Sequence, residues 1–208
     1  EDMSVGHMVQ HAVIQHPDMT AVAGPAIGSI RVVTLADEEG PELLYALWKI
    51  PSPSAMSDNF WQKGSMIALL NPANGAVERV RHGAGINGTT ITAHPVSEKS
   101  FEGMSLPMWS DVRTLAREAH AILPDVGIIG WDIGISEDGP LVIEANTNPH
   151  QHLYQLASGR GIYNEDFMPI FESMFERNKT LVGKRLAKQR ESRKTMNKRN
   201  HEAIFKTA

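Results

Sequence analysis

The 208 residues are 41% hydrophobic and 21% charged, contain no cysteine and carry a formal net charge of −4. Lack of cysteine excludes disulfides, thiolate metal sites and cysteine nucleophiles, so any metal must be held by oxygen or imidazole. No apolar run reaches the ~18 residues of a membrane-spanning helix, and no signal-peptide pattern opens the chain. Charge is unevenly spread: residues 1–175 carry 9 Lys/Arg against 21 Asp/Glu, for −12, and residues 176–208 carry 11 against 3, for +8. The expected organisation is an acidic body over 1–175 with one core and a basic helical tail over 176–208.

Taken in order, residues 8–14 (Met-Val-Gln-His-Ala-Val-Ile) predict a short strand closed by His16-Pro17. A strand over Ile30–Leu35 follows the Gly24-Pro25 and Gly28 loop, and a turn at Glu38–Pro41 leads to a partner strand over Glu42–Ile50. Further strands are expected at Ser65–Leu70 and Ala76–Arg81, separated by the Asn71–Gly75 turn. A glycine-rich stretch, Gly83–Gly88, then passes into polar loop. Ser110 can cap a helix whose apolar positions Val112, Leu115, Ala116, Ala119, Ile122 and Leu123 follow helical spacing up to Pro124. Residues 165–187 are expected to be helical again, with Phe167, Ile170, Phe171, Met174, Phe175 and Leu181 as their apolar stripe. Several meandering strands with few helices predict an antiparallel α+β domain.

The chemistry concentrates between Gly130 and Pro149, two apolar strands joined by a turn at Asp138-Gly139. A two-residue Asp138-Gly139 loop would place Asp132 opposite Ala145 and send Glu144 to the other face. A three-residue Glu137-Asp138-Gly139 loop, with Gly139 left-handed, pairs Ser136 with Pro140 and Asp132 with Glu144, and Asn146 shares their face. Like charges directly opposite on a sheet repel, so such a pair must share a proton or hold a cation. Two carboxylates and an amide oxygen form a hard-ligand set suited to magnesium held with substrate phosphates. An ordinary surface hairpin with solvated acids is the alternative.

Gly130-Trp131-Asp132-Ile133, Asp138-Gly139-Pro140 and Glu144-Ala145-Asn146 resemble the metal-binding end of ATP-grasp enzymes, and more narrowly the sugar-transfer-associated ATP-grasp family, related to alpha-L-glutamate ligases. Ile30–Thr34, Asp58-Asn59-Phe60, Gly64, His94-Pro95 and Phe101-Glu102-Gly103 extend the resemblance over roughly residues 8–162. It implies the antiparallel C-terminal lobe of an ATP-grasp fold, with ATP and Mg2+ as cofactors and Asp132, Glu144 and Asn146 holding the metal. It also implies that the strand arginine Arg31 contacts the transferring phosphate, with a structural salt bridge as the rival reading. Gln10 aligns with an adenine-side glutamine, and Asn59, Gly64 and the Gly83–Gly88 stretch are candidate phosphate- or substrate-loop residues. Lys63 stands where the family more often has a glycine, which leaves a surface lysine as the better reading. The Gly83–Gly88 stretch is not a Walker-type loop, because no Gly-Lys-Ser/Thr follows it.

His150 and His152 flank Gln151 beyond Asn146, and His150, Gln155 and Arg160 are the candidate substrate contacts. Where D-alanine–D-alanine ligases have a glycine after the comparable proline, His150 stands here, so that substrate does not carry over. The activity implied is ATP-dependent ligation, in which a small-molecule or sugar-linked carboxylate is activated as an acyl phosphate for an amine. The alternatives are a non-catalytic interaction module or a phosphotransferase. The lysine-bearing N-terminal lobe of the superfamily has no counterpart here, so an upstream segment or a partner chain is expected to complete the site. A cytoplasmic location is expected. The basic tail favours a solvated helix on the acidic body over a nucleic-acid contact.

Overall fold

A computed structural model describes residues 11–37, 40–52, 54–55, 62–83, 85 and 87–206. Seven strands form one antiparallel sheet: β1 (Ile30–Asp37), β2 (Gly40–Ile50), β3 (Met66–Leu70), β4 (Val77–His82), β5 (Thr89–Ile91), β6 (Ile128–Ser136) and β7 (Gly139–Asn146). Their order across the sheet is β5-β4-β3-β2-β1-β6-β7. Four helices accompany them: α1 (Pro17–Ala23), α2 (Trp109–Ala121), α3 (Gln151–Ser158) and α4 (Met168–Lys206). The chain divides into two compact units, Glu1–Ile162, which holds the whole sheet, and Tyr163–Ala208, which holds α4. The second unit is dominated by its 39-residue helix, on which Phe175, Val182 and Leu186 are exposed. No described helix is long and apolar enough to cross a membrane.

Strand periodicity sorts side chains onto two faces. Ile30 and Val32 of β1, Trp48 of β2, Ala68 of β3 and Ile133 of β6 join Met19 of α1 and Val112 and Ala116 of α2 in the main apolar core. One polar group within it, His120 with Thr34 and Trp131, is mutually paired, whereas the Trp48 indole N–H has no partner among the described residues. His120 Nε2–H donates to the Val126 carbonyl (2.8 Å), so Nδ1 accepts from the Thr34 hydroxyl (2.7 Å), and the Trp131 indole N–H donates to Thr34 Oγ1 (2.9 Å). The opposite face buries Val33, Leu47 and Ile67 and is covered over β2–β4 by α3, through Leu153, Tyr154 and Ala157.

Four local expectations are corrected. Residues 11–14 form no strand, and residues 8–10 lie outside the described residues; the chain instead enters α1. There Pro17 takes the first helical turn, where a missing N–H costs nothing, and His16 Nδ1 accepts from the Asp18 N–H (3.2 Å). Ser110 is not the cap of α2: Met108 holds that position in the left-handed region (φ 52°). Trp109 sets the start by packing on the 71–75 turn, its indole N–H donating to the Pro72 carbonyl (3.1 Å). The polar loop after Gly88 contains the short edge strand β5. Finally, the β6–β7 turn is a two-residue Glu137-Asp138 loop that pairs Ser136 with Gly139 and Ile135 with Pro140. Asp132 still faces Glu144, because a β-bulge adds one residue to β7 between the Asp132–Glu144 and Ile133–Val142 pairs.

Candidate functional site

One row of side chains crosses three strands. Glu144 on β7 is opposite Asp132 on β6, and Asp132 is opposite Arg31 on β1. Arg31 in turn is opposite Leu47 of β2, so Lys49, two residues on, shares its face. These registers place two buried cations around one buried carboxylate. Arg31 Nε donates to Asp132 Oδ1 (2.5 Å) and Arg31 Nη2 to Oδ2 (3.0 Å), while Lys49 Nζ donates to Oδ2 (2.9 Å). The Asp132 side chain is only 6% exposed and those of Arg31 and Lys49 about as little, so two cations and a carboxylate are buried together. Glu144 beside it is exposed.

The local sequence makes room for this arrangement. A Cβ at Gly130 would stand 2.7 Å from Pro149 Cβ and 3.2 Å from Arg31 Cδ. Only a glycine lets the arginine stem and the loop after β7 close over that point of β6. On β2, Gly28 plays the same part from a neighbouring segment, where a Cβ would meet Trp48 Nε1 at 2.7 Å and the Lys49 carbonyl oxygen at 2.9 Å. Gly28 itself is fixed by Gln15, whose Oε1 accepts the Gly28 N–H (2.7 Å).

Burial alone would push the Asp132 carboxyl up, but the hydrogen bond from Arg31 and the charges of Lys49 and Arg31 outweigh it and hold the group below the usual carboxylate range. Burial lowers and Asp132 raises the Arg31 guanidinium, with a net upward shift, so both partners stay ionised. Burial pushes the Tyr45 hydroxyl well above the usual phenol range despite the Arg31 charge. It remains a neutral donor, bonded to Gln151 Oε1 at the start of α3 (2.9 Å).

Asp132, Glu144 and Arg31 are thus brought into one row, and Asn146, paired with Gly130, lies one step along the same face. The Asn146 Nδ2 is buried without a hydrogen-bond partner among the described residues. Among the described residues no three His, Cys, Asp or Glu cluster as a metal site, so a cation here would depend on two carboxylates, an amide oxygen and ligands from outside the chain. The substrate candidates are more dispersed. His150 is exposed at the N-terminus of α3, its ring 6.2 Å from that of His152. Gln155 Oε1 accepts the Ile162 N–H (3.2 Å), closing the loop after α3 on which exposed Arg160 sits. Gly64 (φ 88°) packs against Ser52, and Gln10 and Asn59 lie outside the described residues.

Lys49 escaped the sequence reading, although the reasoning that singled out Arg31 applies to it. A lysine inside the apolar run Leu43–Ile50 must find a counter-ion, and its strand parity matches Leu47, the partner of Arg31.

Comparison with curated proteins and with solved structures returned no match. A family model described as sugar-transfer associated ATP-grasp matches residues 3–168, well over half of the chain, and spans every strand and all the site residues above. The antiparallel sheet with its flanking helices is the α+β architecture of an ATP-grasp lobe. The chain belongs to the sugar-transfer associated ATP-grasp family, and its fold is of ATP-binding, ligase type.

Proposed function

We propose that the charged face of the sheet is the phosphate- and metal-binding wall of an ATP- and Mg2+-dependent ligase that activates a carboxylate as an acyl phosphate for attack by an amine or similar nucleophile. The acceptor class is a small-molecule or sugar-linked carboxylate, in keeping with the family's description, and the setting is cytoplasmic. The observation that carries the reading is the Glu144–Asp132–Arg31 row with Lys49 beside it. Two buried cations beside an exposed carboxylate opposite Asp132 suit an anion that arrives with its own cation.

The residues fit a metal that arrives on a phosphate better than a bare ion. A lone dication would meet Arg31 and Lys49, whose nitrogens already touch Asp132. A metal-bound nucleotide brings net negative charge, and its phosphate oxygens would also give the unpartnered Asn146 Nδ2 an acceptor. Asp132, Glu144 and the Asn146 amide oxygen would hold the metal, whose chemistry is to neutralise charge on the transferring phosphate. Arg31 orients and neutralises the phosphoryl group, so catalysis is positioning and electrostatics without a protein nucleophile. His150, Gln155 and Arg160 are the proposed acceptor-side residues. The second wall of the nucleotide site, with phosphate-gripping lysines, would come from another segment or chain.

One observation favours a second reading: with Asp132 already bonded by Arg31 and Lys49, the carboxylate can serve as a structural anion and the fold persist as a non-catalytic binding module. A phosphotransferase on the same site would differ only in product. Calorimetric titration of ATP into the full-length protein with and without Mg2+ separates the first two. A ligase site binds Mg·ATP and loses about 10- to 100-fold in affinity in Glu144→Gln. Absence of binding, or an unchanged Glu144→Gln, overturns the ligase reading.

A further inference from the structure

The second unit carries a surface that the nucleotide site does not use. Along α4, Val182 follows Phe175 by seven residues and Leu186 follows Val182 by four, spacings that put side chains on one face of a helix. All three are exposed, by 65%, 55% and 50% in the order Phe175, Val182, Leu186. Phe171, four residues before Phe175, heads the same stripe and meets the rings of Tyr163 and Phe167 edge-on. Around and beyond the stripe the charge is nearly all of one sign: residues 177–199 hold ten Lys/Arg and a single acid, Glu191. Lys179 and Arg185, each three residues from Val182, border the stripe, and Arg190 and Arg193 follow Leu186 by four and seven residues on the same side. These four cations are exposed.

An occupant of this face must offer negative charge and an apolar layer together. A second copy of the helix offers the apolar stripe but sets one basic stretch against another. Duplex nucleic acid answers the charge but leaves Phe175, Val182 and Leu186 in water, and residues 177–199 contain no aromatic side chain to stack on bases. An anionic bilayer surface supplies both, phosphates at the headgroups and acyl chains just beneath. The helix is too polar to span that bilayer, so it fits in the plane of the interface. We propose that α4 is a membrane-surface helix for anionic lipid, with Phe175, Val182 and Leu186 in the acyl boundary and Lys179, Arg185, Arg190 and Arg193 reaching up to lipid phosphates. Three exposed apolar side chains are a weak anchor and a basic stretch alone is a salt-sensitive one, so attachment depends on both. The inference uses no residue of the sheet and stands apart from the nucleotide-site reading.

The test is co-sedimentation of the full-length protein with two kinds of vesicle, one of phosphatidylcholine alone and one of phosphatidylcholine and phosphatidylglycerol in equal parts. Wild type should bind the phosphatidylglycerol vesicles, lose roughly 10-fold or more of that binding at high salt, and leave the neutral vesicles unbound. Phe175→Gln/Leu186→Gln should weaken binding by about 10-fold or more, because the apolar insertion is gone. Arg190→Gln/Arg193→Gln should weaken it by roughly 10- to 30-fold, since each cation near such a surface is worth about fivefold. Glutamine keeps helix propensity at these exposed positions, and far-ultraviolet circular dichroism checks that both variants keep the wild-type helix content. No binding to phosphatidylglycerol vesicles, equal binding to both kinds, or unchanged binding in either double variant overturns the proposal. Two rival results do so as well when vesicles are left unbound. Saturable binding of a DNA duplex assigns the helix to nucleic acid, and a dimer in sedimentation equilibrium that Phe175→Gln/Leu186→Gln dissociates assigns the stripe to a second copy.

Discussion

The two faces of the sheet are made from alternate residues of the same strands, yet they do different things. Ile30, Val32, Trp48 and Ile133 point into an apolar core sealed by α1 and α2, where function is served only by rigidity. Arg31, Lys49 and Asp132, their immediate neighbours in sequence, point the other way and hold ions in a place that costs stability to maintain. The difference teaches that a single-residue step along β1, β2 or β6 crosses from scaffold to chemistry. The bulges in β2 and β7 consequently matter as much as the residue identities, because they decide which parity reaches the site.

Substitutions on the two faces should therefore separate stability from binding. The largest stability effect is expected from Asp132→Ala, which removes the buried anion that Arg31 and Lys49 share and should cost about 3–5 kcal/mol in denaturant unfolding. Lys49→Met, in the same cluster, leaves Asp132 its bidentate Arg31 partner and should cost less, about 1–3 kcal/mol for the lost charged hydrogen bond. On the other face Ile133→Ala should cost about 2–5 kcal/mol through a core cavity, with ligand affinity unchanged while the protein is folded. Gly130→Ala sits between these cases. Its Cβ meets both Pro149 and Arg31, so a loss of about 1–3 kcal/mol should be accompanied by weaker nucleotide binding.

Acid sharpens the same contrast. The Asp132 carboxyl is held below its unfolded-state value of about 3.9, so its contribution to stability is complete above that value and is lost as pH falls through the lower folded value. Melting temperature should fall below about pH 4 in wild type and fall less steeply in Asp132→Asn. An equal acid slope in the two proteins would mean that other carboxylates dominate.

Much of this was legible from sequence, for reasons that differ by residue. Arg31 stood out because a guanidinium inside Ile30–Leu35 contradicts its surroundings, and the pairing of Asp132 with Glu144 was reachable from hairpin arithmetic. That pairing held by another route: a shorter loop and a bulge, two one-residue changes that cancel at Asp132. Bulges leave little local signal, because an extra residue in an apolar strand looks like any other. Lys49 had the same signature as Arg31, and Asp132, 83 residues from it, is brought to both only by the sheet order. The start of α2 was illegible for a tertiary reason, since Trp109 packing on the 71–75 turn outranks the capping preference of Ser110. The family resemblance drew on both faces, since Trp131, Ile133 and Phe101 of the core stand in its motifs beside Asp132, Glu144 and Asn146.

The most direct test sets one conservative change on each face against the other. Mg·ATP is titrated calorimetrically into Glu144→Gln and Ile133→Val, with wild type as reference. Binding to the charged face predicts a loss of about 10- to 100-fold for Glu144→Gln and less than about twofold for Ile133→Val. Equal affinities in all three proteins would contradict the assignment of nucleotide and metal to the Glu144–Asp132–Arg31 row.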